Sequence, residues 1–189
     1  MPKNSGPAHV PAGLVLLVGP PASGKTGFVR ALLAHGQIDE GAVVSSDEIR
    51  AELLGTSPAD ADSDAADARI FEERDSRIVA RLAAGRTAIA ESTNVAPQAR
   101  ARLIAIARRF DAPVTMLRFA PDLGTLLQQH AGRDRTDITT ADVRAYAAVM
   151  ARHGGADQLR AEGANAVHDV PGRSQGVTAA EAAAHFSFT

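Results

Sequence analysis

The stretch Gly13-Leu14-Val15-Leu16-Leu17-Val18-Gly19-Pro20-Pro21-Ala22-Ser23-Gly24-Lys25-Thr26 decides the fold. Its apolar run Leu14–Val18, bounded by Gly13 and Gly19, has the pattern of a strand buried on both faces of a parallel sheet. Residues 19–26 match GxxxxGK[ST], and behind them Phe28, Val29, Leu32 and Leu33 form a helical stripe ending near Gly36. A glycine-rich turn between a buried strand and a helix predicts a phosphate cradle. Gly19 opens the turn, and the backbone N–H groups around Ala22, Ser23, Gly24 and Lys25 would point into a phosphate-sized concavity at a helix N-terminus. Lys25 would bring a compact charge to the β and γ phosphates of ATP, and Thr26 would offer its hydroxyl to Mg²⁺. The chain has 18 Arg and only two Lys beside 39 Ala, so a lysine kept at position 25 does something an arginine cannot.

Outward from this turn, strand and helix signals alternate. Residues 42–45 read as a strand running straight into Asp47, Glu48, Arg50 and a helical stretch to Leu54. A long helix over 66–84 carries Ile70, Phe71, Ile78, Val79 and Leu82 on one stripe, with Gly85 as its stop. Then come a strand at 87–90, a helix opening at Pro97 and running to Phe110, and a strand at 114–119. Pro121 opens another helix, an Arg/Asp segment spans 132–137, helix resumes over about 139–153, and 166–170 is a weak last strand. This order predicts an α/β fold, with a mainly parallel sheet covered by helices on both faces and a helical lid. A length of 189 residues suits one domain. The expected division is a flexible leader over 1–12, a domain over 13–171 with its lid around 130–153, and a tail over 172–189 that Phe186 and Phe188 dock on the body.

Composition removes several function classes. Without cysteine there is no disulfide scaffold, thiolate zinc site or cysteine nucleophile, and the six His show no metal-ligand spacing. No apolar run approaches the roughly 18 residues of a membrane span, and a cytoplasmic protein is expected. A net charge of −2 withholds the overall positive charge of a nucleic-acid binder, so such a partner would need a local patch. Arg100, Arg102, Arg108 and Arg109 could form one, or an ordinary solvated face. Residues 56–67, with Pro58 and Asp60, Asp62, Asp64 and Asp67, read as a solvated loop rather than a cation site.

Ligands of such sheets collect at the carboxyl ends of the strands, which is where the remaining candidates fall. Asp47 could accept the proton of an attacking hydroxyl and Arg50 could hold an anionic group of the acceptor, or both could serve the helix start. Glu91 is placed like a carboxylate for Mg²⁺ or its waters, and Asn94 could orient an acceptor, although capping of the Pro97 helix competes. Arg133 and Arg135 lie between two helices, where a mobile lid could bring them onto the phosphates.

Together, the phosphate loop, Ser45-Ser46-Asp47 with Arg50, Glu91-Ser92-Thr93-Asn94 and Arg133-Asp134-Arg135 resemble the polynucleotide 5′-kinase family of small P-loop kinases, over roughly residues 13–170. The resemblance implies a P-loop kinase fold with Asp47 as general base, Arg50 on acceptor phosphate, and Arg133 and Arg135 on the ATP phosphates. It departs where the family usually reads Asp-Ala-Thr-Asn in place of residues 91–94, and in a shorter lid with fewer arginines. It implies ATP/Mg²⁺-dependent phosphorylation of a hydroxyl, first a polynucleotide 5′-hydroxyl, with small-molecule hydroxyls (antibiotic, sugar or nucleotide sugar) as the alternative. No phosphatase or ligase module accompanies it, so a combined end-healing enzyme is not expected. A nucleotide-dependent switch that transfers nothing would keep Lys25 and Thr26 but would have no need of Asp47 beside Arg50.

Overall fold

The computed structural model describes residues 6–55 and 63–189. Five parallel strands form the central sheet: β2 (Leu14–Val18), β3 (Val43–Ser45), β4 (Ala88–Glu91), β5 (Val114–Arg118) and β6 (Ala166–Asp169), in the spatial order β3-β4-β2-β5-β6. Every residue of β2 is buried, as its continuous apolar run requires. The chain leaves β2 toward β3 and β4 on one side and returns to place β5 and β6 on the other. This reversal opens a crevice at the carboxyl end of β2, the place where doubly wound sheets bind ligands.

Helices cover both faces. Leu14, Leu16 and Val18 face a layer containing Ile49 of α2 (Ser46–Leu54), Ile70 and Ile78 of α3 (Asp64–Ala83), Leu103 of α4 (Pro97–Arg109), Met150 of α6 (Thr140–His153) and Leu159 of α7 (Ala156–Glu162). Val15 and Leu17 face the other way, onto Phe28, Val29 and Leu32 of α1 (Lys25–Ala34) and Ala182 and Ala183 of α8 (Ala179–Ala184). The period-two alternation of one strand thus feeds two separate cores. Helix α5 (Leu123–Ala131) pairs with α6, and residues 132–139 join them in the turn where the sequence expectation places the lid, the lid turn.

Helix starts follow local chemistry. Ser45 accepts from the Glu48 N–H, Ser63 from Ala66 and Asp122 from Thr125, while Pro97 opens α4. Thr139 and Asp142 form a reciprocal capping box, as do Thr178 and Glu181.

Two expectations need correction, and one helix, α7, goes unread in the sequence. The leader over 1–12 is not without structure where it is described: Ala8–Val10 is strand β1, paired in parallel with β7 (Phe186–Phe188) from the tail. Val10 and Phe186 are buried and Phe28 meets Phe186 edge to face, so burial holds a strand too short to show any periodicity. Helix α7 lies between Gly155 and Gly163, and its seven residues give under two full turns of pattern. The acidic loop was expected over 56–67; residues 56–62 lie outside the described residues, whereas Asp64 and Asp67 sit in the first turn of α3, where carboxylates favour the helix dipole. Among the described residues no helix is long and apolar enough to cross a membrane.

Candidate active site

The crevice at the end of β2 widens into a cleft of about 1530 Å³, walled by the phosphate loop, the ends of β3 and β4, the lid turn and residues 170–182. The loop geometry depends on close packing. A Cβ on Gly19 would lie 2.7 Å from the Phe119 carbonyl oxygen, and Gly24 takes a φ of 100° at the start of α1. Ala22 adopts φ 65°, a strained value for a residue with a side chain, of the kind found where a loop is shaped for a ligand. The Gly19 N–H donates to the Thr93 carbonyl at 2.9 Å, tying the loop to the segment after β4.

Lys25 is buried, and its Nζ donates to the carbonyls of Gly19 (2.9 Å) and Pro20 (2.7 Å) and to Ser23 Oγ (3.3 Å). Burial lowers its pKa to about 7, opposed by the nearby carboxylate of Glu91. A cation held among neutral acceptors gains strongly from an anion brought beside it. Next along α1, Thr26 donates its hydroxyl to Glu91 Oε1 at 2.9 Å. Burial raises the Glu91 pKa, with the Thr26 bond acting in the opposite direction. Among the described residues no group of three or more His, Cys, Asp or Glu is placed to hold a metal. The adjacent Thr26 and Glu91 oxygens do suit Mg²⁺, a hard cation that uses one or two protein oxygens and fills its shell with water and phosphate.

Asp47, in the first turn of α2, is largely exposed in the cleft and lies 3.3 Å from Arg135 Nη1 across the lid turn. Arg135 also forks onto Asp137, which raises its pKa, and these two anchors orient its guanidinium. Arg133 lines the same wall, with its pKa lowered by burial and then by the charge of Arg135. The two arginines thus bring positive charge to the cleft beside Asp47.

Residues 14–153 match the AAA_33 family, described as an AAA domain. The chain belongs to this family. No curated protein sequence matches it. Among solved structures, a chain of the Pnkp1/Rnl/Hen1 RNA repair complex is 19% identical with a TM-score of 0.64, over 80% of this chain and 46% of that one. This chain therefore spans about half the length of that relative. Shikimate kinase from Acinetobacter baumannii is 17% identical, with a TM-score of 0.52 over 91% of this chain and 89% of its own. The Deinococcus radiodurans tunicamycin resistance protein is 14% identical, with a TM-score of 0.53 over 91% of both chains. These likenesses show that the AAA domain has a P-loop kinase fold.

Of the residues singled out from sequence, the AAA domain brings Ala22, Ser23, Gly24, Lys25, Thr26, Asp47, Glu91, Asn94, Arg133 and Arg135 to one cleft. The two residues expected to meet the acceptor are held by protein partners. Arg50 is not on the cleft wall; it donates to Asp67 at 2.5 Å, which draws it toward the N-terminus of α3. Asn94 reaches the wall, but its amide donates to the carbonyls of Leu17 (2.9 Å) and Ala90 (3.2 Å), locking the ends of β2 and β4 together. Its φ of 47° is tolerated by a residue whose side chain bonds locally.

The arginine patch on α4 is also corrected. Arg100 is fully buried and Arg102 donates to Asp75 at 2.6 Å, so these two do not form a track on the surface. Sequence reasoning missed the tail as part of the site, although the strand ending at Asp169 must release its chain at the same carboxyl edge. It also left Phe71 as a core residue of α3, where the structure exposes it on the cleft wall.

Proposed function

We propose that the protein transfers the γ-phosphoryl group of ATP to a hydroxyl group of an acceptor. The observation that carries this reading is Asp47 facing Arg135 at 3.3 Å in the same cleft as the Lys25–Thr26–Glu91 cluster. Nucleotide binding alone would not require a carboxylate and an arginine opposed across a lid.

In this mechanism the loop amides and Lys25 hold the β and γ phosphates, and Arg133 and Arg135 meet the charge spread over the transferred group. Asp47 accepts the acceptor's hydroxyl proton as that oxygen forms a bond to the γ phosphorus. The bond from the γ phosphorus to the oxygen bridging it to ADP breaks, and ADP leaves with that electron pair. Thr26 and Glu91 would hold Mg²⁺, which would supply neutralisation of phosphate charge when bound. Residues 170–179 close the α1 side of the cleft, the side left for the nucleoside of ATP.

Similarity to a chain from an RNA repair complex brings polynucleotide 5′-hydroxyl ends in as acceptors, and similarity to shikimate kinase brings in small hydroxyl compounds. The test is phosphoryl transfer from labelled ATP to DNA and RNA 5′-hydroxyl ends and to a panel of small hydroxyl compounds. Label should move to an acceptor with the wild-type protein and not with Lys25→Ala. Equal transfer by the two proteins would overturn the assignment.

A further inference from the structure

We infer that the acceptor is a small, uncharged hydroxyl compound with an apolar or aromatic ring, seated against Phe71 and Tyr146; this rests on the kinase reading above and specifies its second substrate. Three large hydrophobic side chains are exposed among the described residues, and two of them, Phe71 and Tyr146 at 39% each, line the same cleft as Asp47. Exposing two aromatic rings to water in one concavity forfeits the burial that favours them inside, and a ligand with an apolar face recovers it.

Their position separates them from the nucleotide end. Phe71 belongs to α3 and Tyr146 to α6, both packed on the sheet face that carries α2 and Asp47. The phosphate-loop helix α1 and the tail helix α8 cover the opposite face. The rings therefore wall the half of the cleft on the Asp47 side.

The arginines around Phe71 are already paired. Arg74, whose guanidinium lies 4.9 Å from the Phe71 ring centroid, is buried and bonds Asp75 through Nε and Nη2. Arg102, 6.0 Å from the same ring, bonds the other oxygen of Asp75. Arg50 is joined to Asp67, and Arg77 to Glu52 and Glu73. All four arginines are bound to carboxylates, Arg74 and Arg102 sharing Asp75, so among the described residues they do not make a row of unpaired cations for successive phosphates. The two guanidiniums, 4.9 and 6.0 Å from its centroid, also hold the Phe71 ring in place.

The experiment uses the full chain with Mg²⁺ and a non-hydrolysable ATP analogue, titrated with phenyl glucoside, methyl glucoside or a 5′-hydroxyl oligothymidylate. Tyr146 is the one tyrosine in a chain without tryptophan, so intrinsic fluorescence reports on this wall alone. Phenyl glucoside should give a saturable change at lower concentration than methyl glucoside. With ATP, the ratio of transfer to the phenyl over the methyl compound should fall about 2-fold to 12-fold in Phe71→Leu, the worth of one ring-on-ring contact. A ratio within one variant is unaffected by partial loss of folded protein. Equal binding of the two glucosides, an unchanged ratio in Phe71→Leu, or tighter, salt-sensitive binding of the oligothymidylate would overturn the inference. Ring preference in fluorescence without any transfer would instead overturn the kinase reading and leave the ring site standing.

Discussion

Replacing Arg100 by Met should cost the protein much of its stability, although the residue lies on a helix whose pattern suggests a solvated arginine face. Its guanidinium is fully buried and donates five hydrogen bonds. Two go to the Glu162 carboxylate (2.6 and 2.7 Å), and the rest to the carbonyls of Asn94 (3.0 Å), Val95 (2.8 Å) and His153 (2.8 Å). The side chain thus joins the loop after β4 to the ends of α6 and α7. Methionine fills similar volume but strands a carboxylate and three carbonyls. Breaking one side of a buried ion pair typically costs about 3 to 5 kcal/mol, and the 20% exposure of Glu162 places this case near the lower end. For a domain of this size that converts to a fall in Tm of roughly 6 to 20 °C. Thermal unfolding followed by circular dichroism measures it, and adding Glu162→Leu should restore part of the loss by removing the stranded charge. Burial tends to raise the Glu162 pKa, but the bonds from Arg100 and Gln158 hold it below its ordinary 4.5. A depressed carboxylate stabilises the fold above that ordinary value and ceases to do so as pH falls through its folded pKa, so the gap between wild type and variant should narrow in acid. A fall of less than about 2 °C would refute the clamp and return Arg100 to an ordinary surface role.

Further predictions concern the cleft. Lys25, with a pKa of about 7 against an ordinary 10.5, is half neutral near pH 7, and ATP phosphates beside it should restore its proton. Calorimetry at pH 8 in buffers of different ionisation heat should show uptake of about one proton per ATP, absent in Lys25→Met. The same depressed pKa makes the charged lysine a cost to folding below pH 7 that is relieved as pH rises toward 10.5, so Lys25→Met should stabilise the nucleotide-free protein most at pH 6. Asp47→Asn should lower turnover by about 10²-fold or more with ATP affinity little changed; parallel losses of both would mark Asp47 as a folding or metal residue instead. Glu91→Gln should raise the Mg²⁺ concentration needed for half-maximal turnover, and an unchanged requirement would remove Glu91 from the metal site.

The phosphate loop and its flanking strand and helix were legible because one short motif combines a buried strand, a turn that needs glycine and a helix start, each with its own local signal. Asp47, Glu91 and the lid arginines were legible for the related reason that parallel strands all end on one edge. What stayed hidden depends on partners distant in sequence. Arg50 and Asp67 are joined only because α2 and α3 pack together, and nothing in the spacing of α4 tells Arg100, a buried clamp, from its solvated neighbours. Asn94 has a composition suited to a capping role or a ligand, but its amide is taken by carbonyls from two strands, one of them far away in the chain. Phe71 falls on the same helical stripe as Ile70 and Ile78, and only the placement of α4 and the lid decides that its ring is left open to the cleft.

The pairing of β1 with β7 has a mechanical consequence. The two strands run parallel, so tension applied to the chain before Ala8 and after Phe188 pulls them in opposite senses along their common axis. Their hydrogen bonds are then loaded side by side in shear and share the force, whereas strands pulled apart from one end break one bond at a time. Helix α8, which adjoins β7 and packs on α1, sits behind this latch. Force drawn through the chain ends meets the β1–β7 ribbon first, and the phosphate loop at the head of α1 carries load only after that ribbon has slipped.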